Sequence, residues 1–160
     1  MQLSLLTFFL QGLPETVAFT ILIFAIARIQ LRWKIITLIA LVQALLAYVL
    51  RLLPIPFGVH TVVLSLFWVF YMVKCGKVSV LKGLYSTFFG IALVILYEFL
   101  THFFYVGVLG LPLHDPSFKN SVVWIFLGWP HIILLFLTAL GINKVLGKLD
   151  ITQGRPGSAF

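Results

Sequence analysis

Long apolar stretches follow one another along this chain, and short groups of proline, glycine and basic residues separate them. A helix that crosses a bilayer needs roughly 20 predominantly apolar residues. The 160 residues therefore accommodate five such helices with short connections and leave no room for a separate soluble domain. The first stretch, 1–27, is too long for one perpendicular span and is interrupted by Gly12-Leu13-Pro14-Glu15. That interruption has the character of a helix start. Proline is tolerated at a first helical position, where its missing donor is unused, and Glu15 would face the positive end of the helix dipole. The pattern predicts a short interfacial or re-entrant segment and then span one, from about Leu13 to Arg28.

Span two is expected from about Lys34 to Leu52, stopped by Pro54 and Pro56, which remove backbone donors and clash with a continuing helix. Span three follows over about Phe57 to Val73. After the basic turn at Cys75-Gly76-Lys77, span four extends from about Val80 to Val108, and a polar loop runs from Leu111 to Lys119. Span five covers about Asn120 to Val145, with a kink expected at Gly128-Trp129-Pro130. The fold class is thus all-α and polytopic, with residues 1–148 as one transmembrane domain. Residues 149–160, which include Gly154-Arg155-Pro156-Gly157-Ser158, are composed like a disordered cytoplasmic tail.

Composition strengthens this reading. With 62% hydrophobic residues, 9% charged residues and a mean hydropathy of +1.16, the chain carries more apolar surface than a soluble domain of its size could bury. The formal charge of +7 does not imply nucleic acid, because the basic residues punctuate apolar segments instead of clustering with exposed polar sequence. Their distribution sets an orientation, since cytoplasmic loops retain lysine and arginine during insertion. Arg28, Arg32, Lys34, Lys74, Lys77, Lys82, Lys144, Lys148 and Arg155 fall on one side, and Arg51 and Lys119 on the other. The amino terminus is accordingly expected outside and the carboxyl terminus in the cytoplasm. The stretch 1–11 has no lysine or arginine, unlike the n-region of a signal peptide, and is expected to belong to the mature protein. A single cysteine, Cys75, excludes an internal disulfide and reads as a small apolar filler. No inverted or parallel repeat of the kind found in many secondary transporters is visible.

Candidate chemistry lies in the polar residues placed where hydrocarbon is expected. A central charge costs about 2.5 to 3.5 kcal/mol on insertion scales, so each such residue is a functional candidate. Glu98 stands about ten residues from the outer end of span four, roughly 15 Å deep at about 1.5 Å per residue, and His131 reaches a similar depth in span five. Glu98 and His102 are four apart and share a helix face, with Tyr97, Thr101 and Tyr105 nearby. Glu15, Arg51 and His60 stand near the outer ends of spans one, two and three. All six ionisable residues are therefore expected around one outward-facing cavity, with Glu98 and Arg51 as charge anchors and aromatic residues as walls. The competing structural reading is that they only neutralise and hydrogen-bond one another, with Arg51 paired to Glu15 or Glu98. Proton transfer through Glu98 and His131 is chemically feasible, but it requires a continuous path. Glu98, His102 and His131 offer three metal ligands, yet their spacing is weak support, and no metal or other cofactor is expected.

Trp33, Trp68, Trp124 and Trp129 read first as interface anchors and packing residues. Gly83, Ser86 and Gly90 would allow close helix approach without specifying a dimer. The serines and Cys75 lack a setting that pairs them with a base and an orienting acid, and phosphate loops and dinucleotide fingerprints are missing, so no enzymatic activity is expected.

The run Leu53-Pro54-Ile55-Pro56-Phe57-Gly58-Val59-His60-Thr61, together with Gly12-Leu13-Pro14-Glu15 and Gly128-Trp129-Pro130, resembles a pattern of Gram-positive bacteria. It is similar to the membrane-embedded sensory regions of histidine kinases of the accessory-gene-regulator quorum-sensing type, or to stand-alone relatives, over about Met1 to Lys148. The resemblance implies a bacterial cytoplasmic membrane protein that receives an extracellular signal, often a peptide. After Lys148 the pattern departs, with neither a dimerisation helix bearing a phosphorylatable histidine nor a nucleotide-binding domain. The expectation is a non-enzymatic sensory or accessory protein that binds an extracellular peptide or small molecule and relays to a membrane or cytoplasmic partner. The alternatives are a small transporter or the substrate-binding subunit of an importer, and a structural subunit of a membrane complex.

Overall fold

The computed structural model describes residues 5–30, 32–53, 57–113 and 121–152. Among these residues there are helices and connecting turns and no strand. Helix α1 runs without interruption through Leu5–Thr7, a π-helical turn at Phe8–Gly12, and Leu13–Ala27. Next come α2 (Trp33–Leu52), α3 (Phe57–Lys74), α4 (Val80–Phe103, continued by a π-helical turn at Phe104–Val108) and α5 (Ser121–Thr152). Four stretches are long and apolar enough to cross a membrane: Phe8–Ala27, Trp33–Leu52, Val80–Val108 and Ile125–Val145. Gly58–Lys74 is a shorter apolar helix, near the lower end of the spanning range of about 17 to 25 residues. The chain is an all-α polytopic membrane protein.

The expected helix start at Gly12-Leu13-Pro14 is instead a change of helix type. A proline inside an α-helix clashes with the carbonyl four residues back and leaves it without a donor. Immediately before Pro14 the helix widens, and the Leu13 amide bonds to the Phe8 carbonyl, five residues earlier. The π turn accommodates the proline while α1 continues. The segment before Pro14 is therefore continuous with span one over its described residues. At the other end, Arg28 takes the left-handed conformation (φ 55°), and the Ile29 amide returns to the Phe24 carbonyl at 2.9 Å, a closure usually made by glycine.

Residues Ala18 to Ala25, together with Ala27, are buried on every side of α1. A helix that is apolar all round belongs in the middle of a bundle, and α1 takes that place, with α2, α4 and α5 packed on it. Helix α3 joins through aromatic contacts: Trp68 lies 5.8 Å from Phe19, and Tyr71 stacks on Phe24 at 6.0 Å. Trp68 is therefore a core residue, while Trp33 and Trp129 remain exposed; the side chain of Trp124 lies outside the described residues.

Consecutive helices alternate in direction: His60 at the start of α3 meets Leu50 at the end of α2, and Glu15 near the start of α1 meets Glu98 late in α4 and His131 early in α5. One end of the bundle gathers the starts of α1, α3 and α5 with the ends of α2 and α4. The opposite end carries Arg28, Arg32, Lys34, Lys74, Lys77 and Lys82. Helix α2 ends at Leu52, with Leu53 extended; Pro54 and Pro56, expected to stop it, lie outside the described residues, as does the loop from His114 to Lys119. Helix α5 passes Pro130 without a break and continues beyond Lys148 to Thr152, so the first residues assigned to the tail are helical. The remainder of the tail, including Gly154 to Ser158, lies outside the described residues.

Candidate functional site

Helix α4 crosses the bundle with a face of small residues inward: Gly83, Ser86, Thr87 and Gly90 are its buried positions. Toward its last turns the helix instead presents Glu98, Thr101, His102 and Tyr105 to a groove of about 470 Å³. Helix α5 contributes Leu127, Gly128 and His131, and α1 contributes Gln11 from its π turn, while Ile95 and Phe99 form apolar walls. A side chain at Gly128 would collide with the Gln11 amide, whose Cδ lies 2.8 Å from where a Cβ would stand. The bare glycine is what lets Gln11 lie across α5.

Two tyrosines strap α4 to α5 beside this groove. The Thr138 hydroxyl donates to the Leu134 carbonyl at 2.8 Å, so in the 2.6 Å contact between Tyr97 and Thr138 the tyrosine is the donor. The Tyr105 hydroxyl donates to the Leu127 carbonyl at 3.2 Å. Thr101 turns its hydroxyl back onto the carbonyls of Tyr97 and Glu98, at 2.8 and 3.0 Å. The stripe expected on α4 is thus partly engaged in packing, and Glu98 and His102 are its exposed members.

At the inner edge of the groove, three ionisable side chains from three helices converge. Glu15 of α1, Glu98 of α4 and His131 of α5 have ligand atoms within 4.8 Å of one another. His131 is only 5% exposed. Its Nε2 lies 4.0 Å from a Glu15 carboxylate oxygen, too far for a hydrogen bond, and has no hydrogen-bond partner among the described residues.

Of the six residues expected around one cavity, Glu98, His102 and His131 line the groove, and Glu15 joins the cluster at its edge. Arg51 and His60 line a second, smaller cavity of about 150 Å³ with Ala47, Thr61 and Leu64. Arg51 is near enough for its charge to act on Glu15 and Glu98, but it makes no ion pair with either within 4.0 Å, so the pairing of the competing structural reading does not form. His60 donates from Nε2 to the Leu50 carbonyl at 2.7 Å, adding a second donor to a carbonyl in the last turn of α2 that already accepts from the Leu53 amide at 3.2 Å.

Two residues escaped sequence reasoning. Gln11 faces the groove, and Gln43 is buried in α2 with its Oε1 unpartnered among the described residues. Both are uncharged amides within long apolar stretches, and their only signal was polarity at a position where none is needed. No protein family, curated protein or solved structure matches this chain.

Proposed function

We propose that this chain is a non-enzymatic membrane receptor or accessory protein whose groove between α4 and α5 binds a small polar ligand or peptide end from outside the cell. One observation carries the reading. The groove draws Gln11, Glu98, His102 and His131 from three helices to one place, within an otherwise apolar bundle. Keeping ionisable side chains at membrane depth is costly, so their assembly around an open space favours recognition over packing alone. The asymmetry of lysine and arginine supports an outward-facing groove, because the site lies in the half of the bundle away from the basic turns.

The groove also sits where a signal could leave it. It spans the contact of α4 with α5, and both helices pack on the central α1. A ligand that binds one arrangement of α4 and α5 better than another shifts their population, and a partner can read that shift. The resemblance to sensory regions of Gram-positive kinases agrees with this role.

Native mass spectrometry of the chain, gently extracted from its own membranes, tests the proposal. A bound small molecule should be retained by the wild type and reduced at least tenfold in Glu98→Ala and His102→Ala. Equal retention in all three would overturn the groove as its site. Uptake of a labelled solute by liposomes holding this chain alone would replace the receptor reading with transport.

A further inference from the structure

The cluster of Glu15, Glu98 and His131 has a geometry that ligand recognition alone does not require. The three donor atoms lie within 4.8 Å of one another, and none is hydrogen-bonded to another. A triangle of that side has a centre no more than about 2.8 Å from each corner, whereas zinc-type ions are held at roughly 2.0 to 2.2 Å by imidazole nitrogen and carboxylate oxygen. An inward shift of well under 1 Å by each side chain therefore completes a three-ligand set. The two glutamates supply that freedom: Glu15 is about one-third exposed and Glu98 is exposed.

His131 is the independent sign that something belongs at the centre. Its ring is buried at 5% exposure, and Nε2 points toward the carboxylates with no partner among the described residues. Leaving a buried polar atom unsatisfied costs about 1 to 3 kcal/mol. Arg51 is near enough for its charge to reach both carboxylates but makes no ion pair with either, so no described side chain holds the two together.

We infer that Glu15, Glu98 and His131 form a binding site for a divalent first-row transition metal ion. The imidazole disfavours magnesium and calcium, which prefer all-oxygen sites, and the mixed nitrogen and oxygen donors suit zinc, cobalt, nickel or manganese. Glu15 takes the place that sequence spacing had offered to His102, because three separate helices, not one helix face, bring the ligands together. The groove leaves a further coordination position open to water or to the Gln11 amide. This site stands on its own geometry and does not depend on the receptor reading.

The test is calorimetric titration of the purified full chain in detergent, stripped with chelator, using Co²⁺ and Zn²⁺ in parallel with Mg²⁺ and Ca²⁺. The expected result is one saturable equivalent of the transition ions and no comparable site for the other two. Glu15→Gln, Glu98→Gln and His131→Ala should each weaken binding at least tenfold, with His60→Ala unchanged. The wild-type chain provides a readout that does not require the His131 variant to fold. Bound Co²⁺ should develop visible absorption bands of low-coordinate nitrogen and oxygen ligation. Absence of a saturable site, wild-type affinity in the three cluster variants, or a spectrum like that of aqueous Co²⁺ would overturn the assignment. Metal binding without any retained small molecule would leave this site standing and remove the receptor proposal.

Discussion

At the scale of single residues, the costly polar positions divide into those that face open space and those that tie helices together. His60 belongs to the second group. Its hydrogen bond to the Leu50 carbonyl at 2.7 Å reaches from the start of α3 to the end of α2, and such a bond contributes about 1 kcal/mol net. His60→Ala should therefore lower the unfolding midpoint in detergent by a few degrees while leaving metal titration untouched; an unchanged midpoint would count against this tie. Glu15, Glu98 and His131 were legible as candidates because charge and imidazole are conspicuous in apolar sequence. Their convergence was not legible. It depends on how each helix is rotated about its axis, which packing decides, and the same rotation separates Arg51 from Glu98. Gln11 was overlooked because an uncharged amide barely alters the hydropathy of its stretch.

At the scale of elements, helix boundaries were largely written in proline and glycine, and helix contacts in side-chain size. Spans three and four were read within a residue or two of α3 and of α4 with its π extension. Pro14 does not mark the start of α1, because a π turn absorbs a proline that would normally mark a boundary. The small residues of α4 were recognised, and the structure shows what they meet. A Cβ at Gly90 would stand 2.7 Å from Ile23 Cγ2 and 3.0 Å from Phe19 Cε2, both on the central helix. Gly90→Val should destabilise the bundle by about 1 to 3 kcal/mol through overpacking. Ser86 is buried with a hydroxyl that has no partner among the described residues, so Ser86→Ala should be neutral or slightly stabilising. Denaturant titration of helicity in detergent separates the two, and equal effects would contradict the close approach of α1 and α4.

At the scale of the whole molecule, the most apolar helix is central, and the outer helices turn large apolar side chains outward. Phe88, Phe99, Phe103 and Phe126 are more than half exposed, which water would penalise and lipid tails would not. Charge is sorted along the other axis. The basic turns occupy one end of the bundle, and the groove with its ionisable cluster lies toward the other. This arrangement makes one cysteine informative, because Cys75 is exposed in the turn between α3 and α4, beside Lys74 and Lys77. Thr101 borders the groove in the opposite half. The most direct measurement is labelling of intact cells with a membrane-impermeant maleimide, comparing the native chain with Thr101→Cys in a Cys75→Ser background. The expected result is that Cys75 reacts only after permeabilisation, whereas the thiol introduced at position 101 reacts in intact cells. Labelling of Cys75 from outside, together with protection at position 101, would contradict an outward-facing groove.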